Sequence, residues 1–534
     1  MSRILGVRPA QENEVVFTFG SGLNTRSDPT EIRDDEAANP SHNYDLDVDN
    51  GLLRRRLPFD LVATATNGKP VRGAAQVVKA DGSVSTIIQA GSILYEWDGA
   101  STFTQRGTVN SAARIRGVNW ELENVVIIYD LQGVDIVKEW DGTTLTDMQH
   151  NISGRFLAKH VRVENERAWY FNVKTSTSTP HLLVGSKRGD FRNLTVTNRA
   201  SSALSEEDPF FLLAPDLRPI NAAALAFGLV LFSTKNGRLY QITGSDSTDF
   251  AIDEFYANSA VAGDEALVEI GNDVMFGRQG RLETLFATQN LGDVETDDLT
   301  RQIKPSAEKV REWTIAFNSR LQKVYIVPND LSQMWVFHKS FSDDRIRQVA
   351  QRREAEVRSP WAIWKTDHSM SFQPQSLFSI KRPSDMLETV YMGGTAGEIF
   401  ELEGVGAQDG GTEDIQVVRT SKLVRAPQGQ FNRVEGLIVY RKFATQSVTI
   451  DLLWQGRSIM DESATVTLDA LTGAAYNNSI YYNETNHYGV EFSGRLSVQP
   501  FAVAGQSDYV QLKVTFDGAV DVFIKEVRLR FLTA

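Results

Sequence analysis

Between Leu52 and Leu402, short apolar or aromatic runs alternate with turns carrying Gly, Asp, Asn and Ser. Such runs, bounded by turn formers, are the pattern of many short antiparallel strands. Sustained helical periodicity is nearly missing. The exception is Asp343 to Arg358, charged and free of Gly, with Ile346 and Val349, then Val357, which predicts a short surface helix or an ordered excursion. The first 50 residues are polar with few apolar periods. Ser27 to Ser41 in particular is rich in Asp, Glu, Asn and Pro, which predicts an extended arm over residues 1–51 with little core of its own. Four Gly fall between Gly404 and Thr412 and mark a boundary. Beyond it, longer alternating strands such as Val448-Thr449-Ile450-Asp451-Leu452 predict a half-buried sheet. Residues 412–534 have the size and pattern of a β-sandwich.

An internal repeat sharpens the middle region. Glu96-Trp97-Asp98-Gly99 recurs 43 residues later as Glu139-Trp140-Asp141-Gly142, each copy after an apolar strand. Gly237-Arg238-Leu239 recurs, again 43 residues later, as Gly280-Arg281-Leu282, and a similar unit surrounds Gly397. A propeller blade is a four-stranded sheet of roughly 40–50 residues, and Asp-Gly favours tight hairpin turns. The expected architecture is therefore all-β: a β-propeller of about six to eight blades over 52–404, flanked by the arm and the sandwich. Seven candidate units fit the interval.

Composition narrows the function. The 534 residues hold 68 acidic and 55 Lys or Arg side chains, a formal net charge of −13. That balance argues against a protein whose task is gripping nucleic acid, since phosphate binding needs a basic surface. It suits a wall past which DNA moves without sticking. Cys is absent, so disulfides and thiolate metal sites are excluded. The chain opens Met1-Ser2-Arg3-Ile4-Leu5-Gly6, unlike a secretory signal. Its longest apolar run, Ile220 to Phe232 interrupted by Asn221, is too short to span a bilayer, so no stable membrane insertion is expected.

Candidate motifs weigh toward structure. Asp45 to Gly51 resembles a calcium loop, but Asn50 and Arg56 stand where the loop Gly and the bidentate Glu belong. Arg54, Arg55 and Arg56 on an extended segment point to alternating sides, which favours bridging to acidic neighbours over one DNA groove. Trp97 and Trp140 precede Asp-Gly turns in a repeat, which favours packing over sugar stacking. Arg188-Gly189-Asp190 is read as a turn. The sequence has no His-Glu-x-x-His, phosphate loop or Gly-x-Ser-x-Gly, and its seven His are scattered. No catalytic, cofactor or metal residue is assigned and no enzymatic activity is expected. The structural and assembly candidates are Trp97, Asp98, Gly99, Trp140, Asp141, Gly142, Gly237, Gly280, Gly397 and Arg54 to Arg56.

Several phrases in order resemble one family. Gly22-Leu23-Asn24-Thr25-Arg26 is followed by Asp35-Glu36-Ala37-Ala38, then Asn43 and Asp45, then Gly51-Leu52-Leu53-Arg54-Arg55-Arg56. This succession resembles the opening of tail nozzle proteins (tail tubular protein B) of short-tailed bacteriophages, and the related phage stabilisation or tail hub proteins. Leu57-Pro58-Phe59 departs from the Pro-Gly turn usual after the arginines. Val184-Gly185-Ser186 with Gly189-Asp190-Phe191, and Leu239 to Gly244 with Asp249-Phe250, fit the same family. The resemblance implies a homohexameric ring in the virion tail, assembled in the host cytoplasm. It would be attached below an adaptor and portal, hold other tail proteins as partners, and let DNA pass its lumen without sequence-specific binding. Two alternatives stand beside it: a host-glycan-binding propeller meeting the host surface, and a polysaccharide-degrading propeller enzyme.

Overall fold

A computed structural model describes residues 13–28, 30–46, 52–175, 179–195, 205–226, 228–235, 237–256, 260–271, 273–287, 294–328, 333–339, 359–365, 374–406, 408–425, 431–442, 446–454, 462–468, 497–507, 509–517 and 522–533. Asp343 to Arg358, expected as a short surface helix or an ordered excursion, lies outside them. The chain divides into two compact units, Met1–Pro58 with His338–Lys365 and Val405–Ala534, and Phe59–Phe337 with Thr366–Gly404.

Four strands come first, β1 (Asn13–Thr18), β2 (Ala38–His42), β3 (Tyr44–Leu46) and β4 (Leu53–Arg55), all within the first unit. The second unit begins with β5 (Asp60–Thr64). Its first sheet then runs in chain order through β6 (Val71–Val78), β7 (Val84–Ala90), β8 (Ile93–Trp97) and β9 (Phe103–Thr108). The next holds β10 (Ile115–Trp120), β11 (Val125–Asp130), β12 (Lys138–Trp140) and β13 (Leu145–Asp147). The third holds β14 (Leu157–Glu164), β15 (Arg167–Lys174), β16 (Leu182–Gly185) and β17 (Phe210–Leu213). The fourth holds β18 (Ile220–Ala226), β19 (Leu229–Thr234), β20 (Leu239–Thr243) and β21 (Ala251–Tyr256). In the fifth are β22 (Leu267–Glu269), β23 (Val274–Arg278), β24 (Arg281–Ala287) and β25 (Val294–Asp298). The sixth brings β26 (Trp313–Asn318), β27 (Lys323–Pro328) and β28 (Gln333–His338), while β29 (Trp361–Lys365) groups with the first unit. The seventh consists of β30 (Ser376–Lys381), β31 (Glu388–Gly393) and β32 (Glu398–Glu401), completed by β5 from the start of the unit.

These sheets form a closed ring. First strands touch in the order β6, β10, β14, β18, β22, β26, β30 and back to β6. The unit is a seven-bladed β-propeller, within the expected range. Its core lies between blades, where each sheet buries a face against the next. Trp120, Tyr129, Tyr170 and Phe191 fill the seam between the second and third blades, and Trp97, Phe378 and Tyr391 the seam between the seventh and first. The ring is locked by antiparallel pairing of β5 on β32, Ala63 opposite Ile399 and Asp60 opposite Glu401. The propeller thus begins at Phe59, where the sequence pattern suggested Leu52.

The first unit contains β33 (Val417–Arg425), β34 (Phe431–Lys442), β35 (Gln446–Trp454), β36 (Glu462–Leu468), β37 (Ser497–Ser507), β38 (Tyr509–Phe516) and β39 (Val522–Thr533). They make the two antiparallel sheets of a sandwich, ordered β3-β4-β39-β34-β37 with β1 also on β39, and β2-β33-β38-β35-β36. Burial alternates residue by residue along β38, as the apolar-polar alternation predicts. The segment expected as an arm is extended, yet it supplies strands to both sheets. Phe17, Phe19, Leu23 and Ile32 are buried. Phe17 lies opposite Val527 on β39, and the Arg419 guanidinium stands over the Phe19 ring.

Candidate functional site

The first strands of the seven blades surround the propeller lumen. It contains a cavity of about 500 Å³ lined by residues of every blade except the fourth, among them Gln76, Arg116, Arg162, Glu265, Phe317 and Lys381. Side chains cross it. Arg114, just before β10, and Arg116, within it, both reach Glu265, two residues before β22 of the fifth blade. Second and fifth blades are three apart in a ring of seven, the greatest separation available, so this ion pair spans the lumen. Arg114 Nη1 lies 3.2 Å from Glu265 Oε2, and the Arg116 guanidinium closes on Oε1. Arg116 also donates to the carbonyls of Arg72 in the first blade and Leu377 in the seventh, each at 3.2 Å. One guanidinium therefore ties four blades, which its planar fork of five donors permits.

A second bridge runs beside the first. Lys159 Nζ on the third blade lies 2.9 Å from Asp264 Oδ1. Burial pushes the Asp264 carboxyl above its ordinary value, and the lysine beside it acts in the opposite direction. His160, the next residue along β14, is buried, and its Nε2 meets the Asn221 carbonyl at 2.9 Å. A carbonyl only accepts, so Nε2 carries the proton. Burial, with Arg162 and Lys159 nearby, holds this imidazole well below its ordinary value and keeps it neutral. These groups satisfy one another in a cross-braced lumen.

The repeated Trp-Asp-Gly units occupy equivalent turns between third and fourth strands of the first two blades. Asp98 Oδ1 accepts from the backbone N–H of Ala100 and Thr102, and Asp141 Oδ1 from those of Thr143 and Thr144. Gly99 and Gly142 follow at φ +83° and +91°, a left-handed conformation that a side chain would strain. Both tryptophans are buried against the preceding blade. The Trp97 ring meets Tyr391 edge-on at 5.5 Å, and Trp140 Nε1 donates to Ser85 Oγ at 3.2 Å. Gly237, Gly280 and Gly397 share a different position, the turn between second and third strands of the fourth, fifth and seventh blades. None of these residues borders the lumen cavity.

Arg54 and Arg56 belong to the first unit. Arg54 pairs with Asp45 at 2.6 Å. Arg56 is fully buried, its Nη1 and Nη2 lying 2.9 and 2.5 Å from the two carboxylate oxygens of Asp409, and its Nε donates to Asn43 Oδ1. Arg55 is also buried. The calcium-loop candidate falls partly on residues 47–51, outside the described residues. Sequence reasoning missed Arg114, Arg116, Lys159, Asp264 and Glu265, which lie in no repeat.

Among the described residues, no group of three or more His, Asp or Glu is arranged to hold a metal ion, and no helix is long and apolar enough to cross a membrane. No family model and no curated protein matches the chain. Solved structures that align with it are propellers. Virginiamycin B lyase from Staphylococcus aureus is 9% identical with a TM-score of 0.40, covering 66% of this chain and 98% of its own. A streptogramin B lyase is 10% identical, TM-score 0.41, covering 65% and 97%. The WD40 domain of Toxoplasma gondii coronin is 10% identical, TM-score 0.36, covering 68% and 87%.

Proposed function

We propose that this chain is a structural subunit of a short-tailed bacteriophage tail, a nozzle or hub protein that assembles with copies of itself around a conduit for the genome. The observation that carries the reading is the succession of phrases from Gly22 to Arg56, because those residues also hold the first unit together. The Gly22 and Leu23 amides donate to the carbonyls of Ser359 and Trp361. A Cβ at Gly22 would lie 2.2 Å from the Trp361 oxygen. Arg56 closes the segment on Asp409. A motif recognised from its order in sequence is thus also one that packing constrains.

The mechanism is mechanical and electrostatic. DNA does not thread the propeller lumen of a single copy. The Arg116–Glu265 ion pair crosses that lumen and closes it to a duplex. The path runs along an axis shared by several copies, as in a homohexamer below an adaptor. A net charge of −13 makes such a wall repel phosphate and lets DNA slide.

Electron microscopy of the purified protein and of virions tests the proposal. Rings with an open axial channel, and density for the chain in the tail, are expected. A stable monomer absent from particles would overturn it.

A further inference from the structure

The outer strand of each blade leaves one edge without a neighbour in its sheet, and proteins guard such edges with charges, bulges or brevity. Four of these outer strands in the propeller unit follow the rule in the structure. The β9 edge has a bulge opposite Leu94 and Tyr95 and carries Arg106. In β13 there are three residues, ending in Asp147. The β21 edge has a bulge and exposes Asp253 and Glu254. The β5 edge has a bulge and begins with Asp60. A fifth, β25, contains Glu295, Asp297 and Asp298 in its sequence.

The third blade breaks the rule. Its outer strand β17 reads Phe210-Phe211-Leu212-Leu213. It pairs with β16 in unbroken register, Gly185 opposite Phe210 through Leu182 opposite Leu213. Phe210 and Leu212 turn into the core between third and fourth blades. Phe211 and Leu213 are 42% and 44% exposed. Among the described residues, no backbone hydrogen bond is made to the free edge of this strand. Four residues on, Leu217 is 62% exposed and held at φ +55°, a conformation that costs energy at a non-Gly residue.

We infer that the outer edge of β17 pairs with the same strand of a second copy of this chain, joining two third blades into one continuous antiparallel sheet. The strand is complementary to itself. Antiparallel pairing centred on Leu212 sets Phe211 of each copy opposite Leu213 of the other, twice over, on the one face that is exposed. Directly opposed aromatic and aliphatic side chains on neighbouring strands stabilise each other. The strand itself is uncharged, so self-pairing brings no like charges together within it, whereas β21 or β25 against itself would oppose carboxylates. The flanking Asp208 and Asp216 are held by their own chain, accepting from the Ser205 amide and the Thr234 hydroxyl. This contact is two-fold, unlike the ring contact proposed above, and does not depend on the tail reading.

Because the chain has no Cys, single-cysteine variants report the register cleanly. Oxidising a mixture of Phe211→Cys and Leu213→Cys proteins is expected to give a covalent dimer on a non-reducing gel, at least several-fold more than either variant alone. Sedimentation of the full chain is expected to show an even number of copies, and the double variant Phe211→Lys, Leu213→Lys to halve that mass while keeping its circular dichroism. A monomeric wild type would overturn the inference, and so would a mass unchanged by the lysines. A mixture that crosslinks no better than its components would do the same. Binding of an added strand peptide by a monomer would assign the edge to a different partner and overturn the second copy.

Discussion

Arg56 and Asp409 are separated by 353 residues and meet in a buried two-pronged ion pair, 2.9 and 2.5 Å between nitrogen and oxygen. The Arg56 guanidinium also stands 5.8 Å from the Trp364 ring centroid. Three remote parts of the first unit are thereby joined at one side chain.

Removing one partner of a buried pair strands the other charge, which costs about 3–5 kcal/mol. Arg56→Ala and Asp409→Ala should each lower the first unit's stability by that amount. The double variant should cost clearly less than the sum of the singles. Urea denaturation followed by far-ultraviolet circular dichroism measures this, and additive losses would contradict the coupling.

The bridge across the propeller lumen gives a parallel expectation. Glu265→Ala leaves Arg114 and Arg116 without the carboxylate they share. Arg114 is partly solvated, so a loss of about 2–4 kcal/mol is expected, less than for a fully buried pair. Hydrogen exchange should rise first in β10 and β22. Exchange unchanged in those two strands would mean that the bridge contributes nothing to blade cohesion.

Trp140 separates packing from ligand stacking. It is fully buried, so Trp140→Ala should destabilise the propeller by about 3–5 kcal/mol. Trp140→Phe should recover much of that loss. A denaturant midpoint unaffected by the alanine would return this residue to the list of surface platforms.

Glu36 predicts a pH effect. It is 4% exposed and accepts from Asn24 Nδ2 and the Arg33 amide. Burial outweighs those bonds and raises its carboxyl above the ordinary 4.5. The folded state therefore holds this proton to a higher pH than the unfolded chain, and stability falls as pH rises through the folded value. Glu36→Gln should gain about 1 kcal/mol or less at pH 7. That gain should vanish below pH 4.5, where both states are protonated. Thermal melts at pH 4 and 7 compare the two, and a variant less stable at pH 7 would refute the sign.

What the sequence disclosed follows from what repeats. Trp97-Asp98-Gly99 and Trp140-Asp141-Gly142 are legible because successive blades place the same turn at the same position. Hence the fold class and the approximate blade count could be read from spacing. The lumen bridge is hidden, because Arg116 and Glu265 lie 149 residues apart and neither is repeated. The run Val15-Val16-Phe17 is visibly apolar, but its partner β39 lies at the far end of the chain, so the pairing was equally hidden. The edge of β17 is a third kind of case. Phe-Phe-Leu-Leu reads as ordinary core until the structure turns half of it outward.

The pairing of β5 with β32 also sets a schedule. Translation at about 5–20 residues per second separates completion of these two strands by roughly twenty seconds to a minute. During that interval the growing chain holds an open arc of blades whose terminal faces have no mate. Released chains truncated before Glu398 should consequently be captured by chaperones and cut readily by protease, while chains extended past Glu401 resist. The ring becomes a durable object only when its oldest strand meets its youngest.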